Sequence, residues 1–284
     1  MMKHLFKRTV LLLNDFEGIE NLLEKAVAFS NQHHTTLEVL YVHEEPLFDI
    51  PDYFLSESKI ANERVDKNRI KSKILEHLSA FDSRVEHAVL VYEDDTVDQV
   101  IHYAKGQKDI LFITAYHDAL SRALIEKTPH SFWIMKTQQF KYQKIVLPID
   151  FTACGKKVLH ASKDIFNQSD ILMLHDYRYL LDTLSIPIDY LDVSPVITPD
   201  ILALNEELKK ERQVEFELYK KEFNVDGVCI DAEGALDQDL RDYISTHDFD
   251  LIIMYHQQEK AFLSSSLIVH LLDDLSLDFF IFNL

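Results

Sequence analysis

The chain has 284 residues, 47% hydrophobic and 27% charged, which supplies a full core and shows none of the depletion that marks a disordered chain. Its formal net charge of −19, with no run of Lys or Arg to offset it, opposes phosphate backbones and argues against DNA or RNA as a partner. The apolar run from Val10 to Leu13 is too short for a signal-peptide core or a membrane span, so a cytoplasmic location and no membrane partner are expected.

The elements, taken in chain order, occur twice. Thr9 to Asp15 is an apolar run ending in Asp, and an amphipathic helix follows with Ile19, Leu22, Leu23, Ala26 and Val27 on one face. A second strand, Leu37 to His43, ends in His; apolar residues at helical spacing then run from Ile60 to Phe81. A strand at Ala88 to Tyr92, a short helix opened by Asp98 and Gln99, a strand at Asp109 to Ile113 and a last strand at Phe132 to Met135 complete this half. From Lys144 the order begins again. Lys144 to Asp150 is a strand ending in Asp; Val158, Leu159, Ser162, Ile165 and Phe166 form a helix face; Asp170 to His175 is a strand ending in His. Ile201 to Phe223 is helical and Val225 to Ile230 strand-like; Asp237 and Gln238 open a helix before the strands Asp250 to Met254 and Phe279 to Phe282.

Strands alternating with helices require right-handed crossovers and parallel pairing. The expected fold class is therefore α/β, two tandem doubly wound five-stranded parallel sheets, as domains 1–139 and 140–284. The two fifth strands are expected near the interface of an internal pseudo-dimer, because each is short, apolar and an edge if left uncovered. Pro148 cannot donate to a ladder, so it belongs at the carboxyl end of its strand. Cys154 and Cys229 lack metal-site spacing and read as reduced structural thiols.

The segment Lys144 to Thr152, the helix after it, the strand ending in His175 and the later Asp250-Leu-Ile-Ile-Met254 resemble the universal stress protein family, and the likeness covers nearly the whole chain when both copies are counted. The resemblance implies a strand order of 3-2-1-4-5 in each copy, with a ligand site at the carboxyl edge between strands one and four. Open α/β sheets in general place a site at that switch point. In ATP-binding members of the family a glycine-rich loop, Gly-x2-Gly-x9-Gly-Ser/Thr, follows the fourth strand and holds the phosphates. This chain departs from that pattern. Five glycines in all is well below the usual share of about 7%, and none follows Ile113 or Met254 before the next strand. In the first copy the loop itself is missing; in the second, Tyr255 takes the first glycine position and Ser265 and Ser266 fit the final Gly-Ser.

The resemblance makes Asp15 and Asp150 the carboxylates beside a nucleotide, whereas a helix cap or turn-forming Asp is the plainer reading of either. With Asp150 go His175, Tyr255, Ser265 and Ser266 in the second copy, and with Asp15 goes His43 in the first. Adding His117 or His256 would give two imidazoles and a carboxylate, a set that suits a transition metal; hydrogen-bonded or surface histidines are the alternative, and no metal is expected. A Gly-x-Ser-x-Gly elbow is absent, so no catalytic residue is assigned. Two functions remain open. One is a non-enzymatic stress-response or regulatory protein acting through a protein partner or small ligand, with no required cofactor. The other is a sensor binding ATP or AMP, mainly in the second domain. An enzyme on a related α/β fold ranks below both, for want of a pyrophosphate loop.

Overall fold

In the parallel strands of this chain apolar residues follow one another without alternation, the pattern required when both faces of a sheet are covered. The computed structural model describes residues 5–44, 66–82, 84–107, 109–176, 199–230, 236–256 and 265–283. By their contacts they form two compact units: Met1–Phe140 with Asp278–Asn283, and Lys141–Leu277 with Leu284.

The first unit runs β1 (Arg8–Leu13), α1 (Ile19–His33), β2 (Thr36–His43), α2 (Lys67–Leu78), β3 (His87–Glu93), α3 (Thr96–Tyr103), β4 (Ile110–Ala115), α4 (Asp118–Lys127) and β5 (Ser131–Met135). These five strands are parallel, in the order β3-β2-β1-β4-β5. Val10 to Leu13 and Ile110 to Ile113 are buried, as a central position demands. The helix expected over Ile60 to Phe81 is seen as α2; residues 60–65 lie outside the described part. Its start is fixed by Asp66, whose side chain accepts from the Asn68 and Arg69 N–H groups. Asp95 caps α3 in the same way through the Asp98 N–H.

The second unit repeats the plan with β6 (Lys144–Pro148), α5 (Ala153–Ile165), β7 (Asp170–Asp176), α6 (Pro199–Phe223), β8 (Asp226–Ile230), α7 (Leu236–Ser245), β9 (Leu251–His256) and α8 (Ser265–Asp274). Its strands are parallel where paired, in the order β9-β6-β7-β8, the same 4-1-2-3 arrangement as in the first unit. Pro148 is the last residue of β6; the register with β9 ends before it, at Val146 opposite Ile252, so its missing N–H interrupts nothing on that side.

The last strand, β10 (Asp278–Asn283), groups with the first unit. It lies antiparallel to β5, with Phe279 opposite Ile134, Phe280 opposite Trp133 and Ile281 opposite Phe132. Phe6 packs against both Phe280 and Phe282. At the head of β10, Asp278 is fully buried; one carboxylate oxygen accepts the Lys136 and Thr137 N–H groups at 2.8 Å each, and the other meets Lys25 Nζ at 3.3 Å. Lys25 Nζ also donates to the Gln139 carbonyl at 2.5 Å and lies 5.1 Å from the centre of the Trp133 ring. No helix among the described residues is long and apolar enough to cross a membrane.

Candidate functional site

The carboxyl ends of β6, β7 and β9 bring Asp150, His175 and Tyr255 together in the second unit. The chain turns just after β6, and Thr152 caps α5 by accepting the Gly155 N–H at 3.2 Å. The same Thr152 hydroxyl donates to Asp150 Oδ1 at 2.6 Å, so one side chain orders both the carboxylate and the helix start. From the end of β9, the Tyr255 hydroxyl donates to Asp150 Oδ1 at 2.5 Å and accepts the Asp150 N–H at 2.9 Å. Asp150 is 8% exposed and Tyr255 1%. Burial, together with the negative charge of Asp150, holds the Tyr255 phenol well above its ordinary pKa, so it stays a hydrogen-bond donor. Gly155 makes this approach possible, since a Cβ there would collide with the Asp150 carbonyl and stand 2.9 Å from the Tyr255 hydroxyl.

His175 sits one strand away. Its ring is 2% exposed, with Nδ1 2.9 Å from the Ile149 carbonyl. That contact assigns the proton to Nδ1. The ring packs 4.4 Å from Phe151 and 6.4 Å from Phe216, centre to centre. Burial pushes its pKa down to about 4. The imidazole thus sits neutral in an aromatic wall, tied to the residue just before Asp150. His256, at the end of β9, is half-buried and its pKa is also lowered by burial. Ser266 is exposed near the start of α8, and Ser265 opens that helix, its side chain lying outside the described residues.

The first unit lacks the equivalent contact. Asp15 is partly exposed and accepts the Glu17 N–H at 2.8 Å, a turn that leads into α1. The helix is then entered through Gly18 at φ 63°, a left-handed conformation that favours glycine. Burial, with the Asp15 charge adding to it, raises the Tyr41 pKa, and Phe16 lies 5.3 Å from the Tyr41 ring. His43 is partly exposed at the end of β2, and His117 precedes α4 without capping it through its side chain. Where the glycine loop would begin, β4 passes almost directly into α4, leaving only Tyr116 and His117 between them. Among the described residues no group of three or more His, Cys, Asp or Glu is arranged to hold a metal ion.

Compared by sequence, the chain matches no family profile and no curated protein. Compared by structure, 98% of it aligns with 97% of a universal stress protein from Archaeoglobus fulgidus, at 13% identity and a TM-score of 0.56. A functionally unknown protein from Pseudomonas aeruginosa aligns over 97% of this chain and 92% of its own, at 15% identity and a TM-score of 0.55. The chain has the universal stress protein fold, in tandem. In the second unit the first and fourth strands in chain order are β6 and β9, which pair in parallel and are joined beyond that register through Asp150 and Tyr255.

The structure brings Asp150, His175 and Tyr255 to one edge, while Thr152 and Gly155 have no role in the sequence reading. The signal for both was present. A Thr two residues after an Asp and three before a Gly is a cap whose first turn must come close to the strand end.

Proposed function

We propose that this chain is a non-enzymatic regulatory protein of the stress-response type, acting by binding a protein partner or a small ligand, with its second-copy nucleotide edge closed from within. One observation carries the reading: the Tyr255 and Thr152 hydroxyls both engage Oδ1 of the carboxylate that would face a nucleotide, and the buried Tyr255 side chain stands at the strand exit where a glycine would leave room. The glycine-free sequence after both fourth strands supports it, because phosphate binding draws on backbone amides that glycine exposes at a helix start. In the first copy the Asp15 carboxylate is used by a turn, and α4 begins where a phosphate loop would lie. Two cysteines that form no disulfide fit a reducing, cytoplasmic setting. The competing reading, an ATP or AMP sensor, needs a cavity beside Asp150. Native mass spectrometry of the intact protein, purified without added nucleotide, separates the two. The bare polypeptide mass is expected; a retained mass of adenine-nucleotide size would overturn the proposal in favour of the sensor.

A further inference from the structure

The long helix α6 turns Phe216, Tyr219 and Phe223 inward, where they are 3%, 8% and 4% exposed and pack around Phe151, His175 and one another. Its opposite face carries Val214 and Leu218, one turn apart and 63% and 58% exposed. They are the most exposed large hydrophobics among the described residues, and they line a shallow groove with Lys210, Gln213, Glu217 and Lys221. Exposing two aliphatic side chains on adjacent turns forgoes the burial that would stabilise them.

The stripe continues at both ends. Glu211, Val214, Leu218 and Lys221 follow one another at spacings of three, four and three, which is the seam of a two-helix contact. Arg212 and Lys220 are committed to Glu215 and Glu217. Glu211 and Lys221 are in no ion pair among the described residues and stay available to a neighbour.

We infer that this face of α6 is a self-association surface on which a second copy of the chain lays its own α6 antiparallel, about a twofold axis between Val214 and Leu218. The charges select both the partner and the direction. An antiparallel pair sets Val214 against Leu218 of the second copy and Glu211 against Lys221, each contact occurring twice under the twofold. A parallel pair would set Glu211 against Glu211 and Lys221 against Lys221, which is repulsive at both ends. On a molecule of net charge −19 most surfaces repel their own copy. This stripe, one Glu and one Lys flanking two aliphatic residues, does not. The buried area of such a seam falls well below the roughly 1,600 Å² of a standard interface, so the dimer is weak and concentration-dependent. It lies apart from the Asp150 edge, and its success or failure leaves the proposed function untouched.

Sedimentation velocity of the full chain over concentrations up to roughly 200 µM tests it. The wild type is expected to pass from monomer to dimer. Leu218→Glu should leave monomer throughout, Glu211→Lys should weaken association about tenfold, and Glu211→Lys with Lys221→Glu should recover it to within about threefold. All four positions are exposed, so the thermal melts of the variants are expected to overlay the wild type. A chain that stays monomeric at the highest concentration overturns the inference. So does a dimer indifferent to Leu218→Glu, or a charge reversal that the second reversal does not rescue.

Discussion

At the residue scale, the pair Asp150 and Tyr255 binds two strands whose sequence positions are 105 apart. The phenol answers both the carboxylate and the Asp150 N–H, so Tyr255→Phe leaves a buried donor and part of a buried anion unsatisfied. The expected cost is roughly 1–3 kcal/mol in urea unfolding; a loss under about 0.5 kcal/mol, the range of ordinary surface changes, would show the contact to be ornamental. His175 makes a second prediction. Its folded pKa, about 4, lies below the ordinary 6.5, so between these values the unfolded chain takes up a proton that the folded chain refuses. Stability therefore falls as pH is lowered from about 6.5 towards 4 and is fully present above that window, by at most roughly 3 kcal/mol for this group. His175→Asn keeps a donor for the Ile149 carbonyl and removes the titration. Its unfolding midpoint should change less between pH 4.5 and 7 than that of the wild type; equal changes would assign the acid sensitivity elsewhere.

At the scale of elements, the order of strands and helices was legible because parallel strands buried on both faces leave unbroken apolar runs, and finding the order twice fixed the repeat. Boundaries shifted by a residue or two, as for β1, read as Thr9 to Asp15 and found as Arg8–Leu13. Two helices, α4 and α8, each of ten residues, lie where the family pattern has its loop, and helices this short carry little periodicity of their own. That β10 lies beside β5 agrees with the expectation for the two fifth strands, but its antiparallel register was not legible. Phe279 to Phe282 reads the same whichever strand it joins, and Lys25, set between Glu24 and Ala26 on the first helix, gives no sign of the buried Asp278 it reaches 253 residues later. That ion pair yields a prediction. Burial pulls the Lys25 pKa down to about 8 against the opposing pull of Asp278, so its desolvation outweighs its pairing. Lys25→Met should leave the Asp278 charge without its ammonium partner and cost about 3 kcal/mol. Lys25→Met with Asp278→Leu should recover much of that, since no charge is left inside. A single variant as stable as the wild type in urea would mean that the pair contributes nothing to holding β10.

At the scale of the whole molecule, the tandem fold is shared with universal stress proteins at a sequence identity so low that the architecture is retained while the ligand chemistry is free to change. The charge of −19 and the lack of glycine act over the entire chain in the same direction, against polyanions in general and against triphosphates in particular. If the second-copy edge is filled by the protein's own tyrosine, isothermal titration of Mg·ATP into the full chain should register it. No saturable heat is expected at ligand concentrations up to roughly 1 mM, equivalent to a binding free energy weaker than about −4 kcal/mol. Stoichiometric binding at micromolar affinity would show the edge to be open, and its loss in Ser266→Ala would place the nucleotide there.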